Sequence, residues 1–283
     1  MRKRSLLCAA LMLAGAVSSV AQIGVSPSIV ETTLDDRGAA SAIRLLNLGT
    51  RTIEVKVTVQ NWDLDDGNNV RILAPTEQSL DQWTVVQPLR FTVAAGKSQT
   101  VRLAIRPRVR PEPGEHRAIV FFEEVAPKNE AVPAMRVLFR IGVAVYAYAG
   151  NVSRRGSLCG ISVDQDATLF DIESYGTAHV RLDGQYAVWE GAHYPGAART
   201  QPVPNADAPK PTLPAHVLAA GALPTLPVLP EARRSVRLSM PRLDTGYYVL
   251  DVKAKLGDDT LAFGVPFVVV GDERGAAAKS AGR

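Results

Sequence analysis

Residues 135–148 read MRVLFRIGVAVYAY. In a β-strand alternate side chains point to opposite faces, so the odd-numbered residues form one face and the even-numbered residues form the other. The odd face is apolar throughout, and the even face carries only two charged residues, Arg136 and Arg140. A strand with one face in water keeps a polar set on that face. We therefore expect either that both faces are covered inside the protein or that one face or edge receives a partner strand.

Short strand patterns recur along the rest of the chain. Apolar and polar residues alternate without a break in IEVKVTVQ, residues 53–60, which is typical of a strand with one buried face. Turn signals such as Asp66-Gly67 and Ala95-Gly96 separate these runs, and no window outside the N-terminal apolar segment sustains helical periodicity. Many short strands with polar turns predict an all-β fold of two immunoglobulin-like β-sandwich domains in tandem.

A cluster of acidic and amide residues, DLDDGNN at 63–69, is the most tempting metal motif. An EF-hand loop needs acidic or amide residues at positions one, three and five, glycine at six and glutamate at twelve. Counted from Asn61, position six is Asp66 and position twelve is Ile72, so the spacing is wrong for calcium. The Asp-Gly pair instead predicts a hairpin turn after a strand.

The length of the chain predicts two domains, which we place at residues 22–149 and 150–271. The second domain contains a proline-rich insertion at residues 195–230. We expect this insertion to be extended and largely mobile, because its nine prolines leave no room for a regular ladder. Residues 272–283 are expected to form a disordered tail.

The chain begins with a pattern typical of export. Residues 2–4 read RKR, residues 6–17 form an apolar run, and residues 19–21 read SVA. The apolar run is too short to span a bilayer, and the small residues after it form an A-x-A-like cleavage site. We predict a signal peptide at residues 1–21 that is cleaved after Ala21, and no membrane insertion.

Removal of this segment changes the charge and the cysteine count. It takes away three basic residues and no acidic one, which lowers the formal charge from +4 to +1. A charge near zero provides no broad field for nucleic acid or anionic lipid, so we expect no nucleic-acid partner. Cys159 is then the only cysteine, and no intrachain disulfide can form. We expect Cys159 to be a small buried apolar residue, with an intermolecular pair as the alternative.

Several segments occur in an order that resembles a known family. They are WTVVQP at 83–88, RFTVAAGKSQTVR at 90–102, GEHR at 114–117 and FFEEVAP at 121–127, followed by the strand at 135–148. Together they resemble the first immunoglobulin-like domain of periplasmic pilus chaperones, the PapD-like proteins of chaperone-usher systems. In the second half of the chain only the order and spacing of strand and turn signals continue this resemblance.

The resemblance implies a non-enzymatic periplasmic chaperone that binds fimbrial subunits and delivers them to an outer-membrane usher. In that family the last strand of the first domain completes a subunit sandwich that lacks a strand, by donor-strand complementation. Main-chain hydrogen bonds pair the strand edges, and alternate apolar side chains fill the subunit groove. The resemblance assigns as donor side chains Met135, Val137, Phe139 and Ile141. The alternative is that these residues are core of the first domain and that Leu138, Ala144 and Tyr146 lie on a tolerated surface.

One departure from the family concerns the C-terminal carboxylate of the subunit. Family members hold it with two basic residues, one on the first and one on the last strand of the first domain. Those positions here hold Ile29 and Ala144, and neither side chain can bind a carboxylate. Arg140, on the same face as Ala144, is the nearest substitute and Arg136 is the next, although each also fits a solvated charge. We therefore expect an atypical member of the family.

The sequence contains little that indicates a catalytic or metal-binding motif. The four histidines, His116, His179, His193 and His216, show no H-E-x-x-H or paired spacing, and neither a nucleophile elbow nor a phosphate loop is present. We expect no enzyme activity, no cofactor and no metal. The rival hypothesis is a structural or adhesive surface protein made of two immunoglobulin-like modules. Whether the free protein caps its own edge by dimerising is left open.

Overall fold

The computed structural model of the chain describes residues 23–35, 38–65, 67–126 and 138–270. Within them nearly all regular structure is β-strand, arranged as two sandwiches in tandem, which confirms the predicted fold class. The first ten strands are β1 (Ile23–Ser26), β2 (Ile29–Leu34), β3 (Ala39–Asn47), β4 (Ile53–Leu64), β5 (Val70–Leu73), β6 (Thr84–Gln87), β7 (Arg90–Val93), β8 (Ser98–Ile105), β9 (Gly114–Glu124) and β10 (Arg140–Ala149). The later strands are β11 (Gly156–Val163), β12 (Ala167–Ser174), β13 (Leu182–Glu190), β14 (Val217–Ala222), β15 (Arg233–Ser239), β16 (Gly246–Leu256) and β17 (Asp259–Val269). A short helix, α1 (Leu80–Trp83), precedes β6, and a 3₁₀ turn, Gly191–His193, follows β13.

Strands β1 to β10 form the first sandwich. One sheet has the order β1-β3-β8-β6, and the other has the order β2-β10-β9-β4-β5, with β7 also pairing with β4. Their inner faces share a core that includes Leu45, Val55, Leu103 and Phe122. Burial alternates along the first half of β4, as the sequence of residues 53–60 predicts.

Strands β11 to β17 form the second sandwich. Its sheets have the orders β11-β12-β15 and β14-β13-β16-β17. Phe170 and Val236 from the smaller sheet pack with Leu182 and Leu250 from the larger one in a separate core. Each sandwich therefore has its own hydrophobic core, formed between the inner faces of its two sheets.

The first two strands, β1 and β2, follow each other closely in the sequence but lie in different sheets. β1 pairs with β3 in one sheet, and β2 pairs in parallel with β10 in the other. Pro27 lies between them. Because proline has no backbone N–H to donate, a continuous ladder through this position is disfavoured.

The predicted hairpin after β4 is confirmed. Leu64 lies opposite Val70 at the closing end of the β4–β5 pair. The Asp65 carboxylate accepts hydrogen bonds from the backbone N–H groups of Gly67 at 2.9 Å and Asn69 at 2.8 Å. The bonds from Asn69, with that from Gly67, lower the pKa of Asp65. This carboxylate is therefore engaged within the turn.

The proline-rich segment is more ordered than the sequence predicts. β14 lies inside residues 195–230 and pairs with β13, and the side chains of Val203 and Ala206 are buried. Residues 215–223, between Pro214 and Pro224, contain no proline. This interval leaves room for a short strand, so the expectation of an insertion without a ladder was wrong for this part.

The expectation that Cys159 is buried was also wrong, because its side chain is exposed. The pairing of β11 with β12 shifts register between Leu158 and Gly160. This irregularity turns Cys159 outward, where its thiol lies 3.6 Å from the Glu173 carboxylate.

The two sandwiches meet through a third apolar group, which we call the inter-sandwich cluster. It consists of Trp62, Leu64, Ile119, Phe121, Tyr146 and Tyr148 from the first sandwich and Ala178 and Leu229 from the second. Beside it, Arg234 of β15 donates to the carbonyl oxygens of Leu64, at 2.5 Å, and Asp65. The β4–β5 hairpin is thereby fastened to the second sandwich.

Some predictions fall outside the described residues. These are the signal peptide at residues 1–21, the tail at 272–283, and the side chains of Met135, Arg136 and Val137. In the part of the chain that the structure describes, no helix is both long and apolar enough to cross a membrane.

Candidate functional site

Strand β10 is covered on both faces over its C-terminal half. Val143 and Val145, on the odd face, are buried in the core of the first sandwich. Tyr146 and Tyr148, on the even face, are buried in the inter-sandwich cluster. Both apolar faces therefore have a partner inside the protein, which was the first of the two explanations offered for this segment.

The N-terminal end of β10 differs, because no described strand lies beside one of its edges. β10 pairs with β9 along its whole length, from Arg140 to Ala149. Its pairing with β2 on the other side begins only at Ala144. Residues 140–143 thus have a strand on one side only, within the described residues, and we call this stretch the open edge.

The hydrogen-bond direction shows which groups the open edge presents. The N–H of Glu124 donates to the carbonyl of Phe139 at 3.0 Å, so the Phe139 position points its main-chain groups toward β9. In an antiparallel pair this direction alternates from residue to residue. Ile141 and Val143 therefore also face β9, while the main-chain groups of Arg140 and Gly142 face outward along the open edge.

Two of the four predicted donor side chains, Phe139 and Ile141, lie within the described residues. Both are partly buried and pack against the core of the first sandwich. Ile141 and Phe139 lie two and four residues before Val143, and therefore on the same face of the extended chain. Their partial burial is compatible with both interpretations of these residues, as core and as donor side chains. They extend the core of the first sandwich, and they also keep apolar surface exposed to solvent.

Arg140 is engaged in contacts of its own. Its Nε lies 2.7 Å from Glu123 Oε1, and its Nη2 donates to Gln60 Oε1 at 3.2 Å. Its guanidinium also stacks over the ring of Phe121, 3.7 Å from the ring centre. The side chain remains half exposed. These contacts hold Arg140 along the surface of β9, beside the open edge.

Ile29 and Ala144, the positions at which the resembled family carries basic residues, are direct partners in the β2–β10 pairing. Ile29 is 40% exposed, and Ala144 is partly buried against the inter-sandwich cluster. The two positions therefore lie together, where the open edge ends and the contact between the sandwiches begins. Neither contributes a charge there.

Charged groups instead gather around Glu31, two residues beyond Ile29 on β2. Its carboxylate accepts hydrogen bonds from the Tyr148 hydroxyl at 2.9 Å and from Arg181 Nη1 at 3.1 Å. Arg154 Nη2 lies 3.8 Å from the same carboxylate. Glu31 belongs to the first sandwich, whereas Arg181 belongs to the second. These charged side chains therefore link the first sandwich to the second.

A second polar bridge lies beneath this one. His179 Nδ1 is 2.6 Å from Glu115 Oε2, and both side chains are almost fully buried. Arg117 Nη1 donates to the other oxygen of Glu115 at 3.2 Å. Burial raises the pKa of the adjacent Tyr146 to about 12, against the opposing charge of Arg181, so its hydroxyl stays protonated at neutral pH.

Arg181 has donor capacity beyond its bond to Glu31. Its Nε and Nη2 atoms are buried and make no hydrogen bond within the described residues. A buried donor without an acceptor destabilises a fold by about 1–3 kcal/mol. A carboxylate that reached this guanidinium would therefore gain a strong, charge-assisted contact.

No local sequence pattern marks Glu31, Arg181 or the Glu115–His179 pair, because each contact joins residues from different sandwiches. The GEHR segment that contributed to the resemblance contains Glu115, but its partner is remote in the sequence. Only the contact between the sandwiches brings these groups together.

Comparison with solved structures finds many matches to proteins of pilus assembly. A chain of the CsuC–CsuE chaperone–tip subunit pre-assembly complex from the archaic Csu pili of Acinetobacter baumannii is 14% identical, with 86% of this chain and 98% of that chain covered and a TM-score of 0.43. A chain of the complex between the Salmonella enterica SafA pilin and the SafB chaperone is 14% identical, with coverage of 89% and 98% and a TM-score of 0.44. The E. coli chaperone DraB is 9% identical, with coverage of 86% and 95% and a TM-score of 0.42. No protein-family model matches the sequence, and no curated protein matches it.

Proposed function

We propose that this chain is a periplasmic chaperone that binds and stabilises pilus subunits by donor-strand complementation and delivers them to an outer-membrane usher. The observation that carries the proposal is the open edge at residues 140–143, where β10 has, among the described residues, a neighbouring strand on one side only. The segment order that resembles the pilus chaperones ends in this same strand.

The open edge has the main-chain chemistry that strand donation requires. The outward groups of Arg140 and Gly142 offer an extended subunit segment both donors and acceptors, as an unpaired sheet edge does. The rest of β10 is held on both faces and on both edges. The edge is therefore presented on a rigid support, which lowers the ordering entropy lost on binding.

Apolar side chains next to this edge provide the second component. Phe139 and Ile141 keep exposed surface at the rim of the first core. Met135 and Val137 complete the proposed donor set, because a spacing of two residues in the sequence would put all four side chains on one face if the segment is extended. In a subunit that lacks a strand, such side chains would fill the exposed groove.

The carboxylate anchor is proposed separately, because Ile29 and Ala144 cannot provide it. Arg140 is adjacent to the open edge but is paired with Glu123. Arg136, the other residue suggested by the sequence, lies outside the described residues. Arg181 lies between the sandwiches and retains two donors without acceptors among the described residues. These two positions, Arg140 and Arg181, are the ones to compare experimentally.

The decisive experiment is co-purification of the mature protein, residues 22–283, from periplasmic extract with identification of bound proteins by mass spectrometry. Three forms are compared: wild type, Arg140→Pro and Arg140→Ala. Proline at the first residue of β10 removes the outward N–H but not the bonds to β9, whereas alanine keeps that N–H. Both substitutions remove the ion pair with Glu123, so alanine is the matched control.

We expect wild type and Arg140→Ala to retain a small, β-rich secreted subunit in near-equal amount, and Arg140→Pro to lose it. Retention by Arg140→Pro would exclude the open edge as the binding site. Loss in both variants would instead identify the Arg140 side chain as the contact. Recovery of wild type alone, or on the cell surface, would favour a structural or adhesive module. A wild-type dimer would indicate that a second copy caps the edge.

A further inference from the structure

Three side chains with metal-binding atoms meet at one end of the second sandwich, far in sequence from the open edge. Glu190 is the last residue of β13, His193 ends the 3₁₀ turn that follows, and His216 directly precedes β14. The N–H of Glu190 donates to the carbonyl of His216 at 3.0 Å. The pairing of β13 with β14 therefore returns His216 to the side of His193, which the spacing of the histidines in the sequence did not predict.

The three side chains converge on one oxygen. Glu190 Oε2 lies 2.9 Å from Nδ1 of His193 and 2.9 Å from Nδ1 of His216. The two imidazole rings are stacked, with centroids 3.7 Å apart and planes inclined by 10°. One ligand atom from each residue lies within 4.8 Å of the other two. All three side chains are accessible to solvent, so an ion has a direct path to them.

These distances are close to those of a metal centre. For bonds of ~2.0–2.1 Å, the neighbouring ligand atoms of a tetrahedral zinc ion are about 3.3 Å apart. The carboxylate–imidazole distances of 2.9 Å would have to widen by only a few tenths of an ångström. The stacked rings would also have to turn so that one nitrogen of each points at the ion.

The scaffold around the three ligands is held in place from both sides. Tyr194, directly after His193, donates its hydroxyl to Asp251 at 2.9 Å. Asp251 is itself buried within β16. His216 is fixed by its backbone bond to Glu190. Such preorganisation reduces the rearrangement that metal binding requires.

We propose that Glu190, His193 and His216 form a site for a divalent transition metal ion, with zinc as the best match to two imidazoles and a carboxylate. Three protein ligands leave a coordination position for water or for a group from a partner protein. Because the ligands flank residues 194–215, the ion would join the two ends of the proline-rich segment. The site does not depend on the proposed chaperone function.

The test uses the mature protein without a histidine tag, treated with a chelator and then dialysed. Zn²⁺ is titrated by calorimetry, and Co²⁺ is titrated by visible absorption, which reports four-coordinate geometry. We expect one ion per chain for wild type and no stoichiometric binding for His193→Gln, His216→Gln or Glu190→Gln. Asp207→Asn, an exposed carboxylate within the same segment, is the matched control and should bind as wild type does.

A second readout concerns the segment itself. Zn²⁺ should raise the melting temperature of wild type and of Asp207→Asn, and should slow protease cleavage within residues 194–215, but should change neither property in His193→Gln. The proposal is overturned if wild type binds no ion at a defined stoichiometry. It is equally overturned if the three ligand variants bind as wild type does. Circular dichroism of the variants separates loss of the site from loss of the fold.

Discussion

Nδ1 of His179 lies 2.6 Å from Oε2 of Glu115, and the backbone N–H of His179 donates to the same oxygen at 2.8 Å. Glu115 belongs to β9 of the first sandwich, whereas His179 precedes β13 of the second. Because both side chains are buried, this contact holds the sandwiches together where water cannot compete.

Removing the carboxylate should therefore destabilise the protein strongly. Glu115→Ala leaves His179 and Arg117 without their shared partner, and loss of one member of a buried ion pair lowers the free energy of unfolding by about 3–5 kcal/mol. Urea denaturation measures this change. Glu123→Ala on the same strand, which breaks only the half-exposed pair with Arg140, should lower it by about 0–1 kcal/mol. Equal effects of the two substitutions would contradict the role assigned to Glu115.

The same carboxylate predicts a loss of stability in acid. Burial alone would raise the pKa of Glu115, but the hydrogen bonds and charge of His179, with the charge of Arg117, lower it below the ordinary value of 4.5. A group with a lower pKa in the folded protein contributes stability above its unfolded pKa and loses that contribution as the pH falls through the folded pKa. The contribution should be complete at neutral pH and should disappear progressively below about pH 4.5.

Thermal unfolding of wild type and Glu115→Gln between about pH 7 and pH 3 tests this expectation. The difference in melting temperature between the two proteins should be largest at neutral pH and should shrink in acid. A difference that stays constant across the range would show that Glu115 is not the titrating group.

Arg234 is expected to stabilise the β4–β5 hairpin against local opening. Its guanidinium donates to the carbonyls of Leu64 and Asp65 and is 8% exposed. Hydrogen bonds from a charged group contribute about 1.5–3 kcal/mol. Arg234→Ala is therefore expected to speed hydrogen exchange at residues 61–73, whereas Arg233→Ala, the exposed neighbour, should leave it unchanged. Unchanged exchange in Arg234→Ala would mean that apolar packing alone holds the hairpin.

If β10 donates its edge to a pilus subunit, Phe139 should matter more than its neighbour Leu138. A charge at Phe139 would enter the apolar groove of the subunit, which opposes burial of an unpaired charge. Leu138 points to the opposite face and is 43% exposed. We expect Phe139→Glu to abolish capture of the purified subunit and Leu138→Glu to retain it. Because Phe139 also touches the first core, the melting temperature of each variant is measured alongside. Capture by a folded Phe139→Glu protein would remove Phe139 from the donor set.

The position of the carboxylate anchor can be resolved by two substitutions. If Arg181 holds the C-terminal carboxylate of the subunit, Arg181→Gln should weaken binding by about 10-fold or more, as for a charge-assisted hydrogen bond of 1.5–3 kcal/mol. Arg140→Ala should then have little effect, because Arg140 is engaged with Glu123. The reverse result would locate the anchor at Arg140. A subunit shortened by its C-terminal residue should bind both variants and wild type equally, since its carboxylate is displaced.

Local patterns along the chain were sufficient for the class of fold and for several of its parts. Alternation in residues 53–60 matches the first half of β4, and the Asp-Gly pair matches the β4–β5 hairpin. These features depend on neighbours in sequence, since side-chain direction and turn geometry are local properties of the backbone. The sequence also indicated that both faces of β10 are apolar, but it did not indicate which residues would cover each face.

The other features of the fold and of the candidate site depend on packing between residues that are far apart in the sequence. Packing places the odd face of β10 in the core of the first sandwich and the even face in the inter-sandwich cluster. Within the part of the chain that the structure describes, the edge at residues 140–143 is open because β2 begins its pairing at Ala144. Packing also joins Glu115 to His179, and Glu190 to His216. Such pairs leave no periodic pattern in the sequence. Strand order and register, rather than separation along the chain, determine which residues meet.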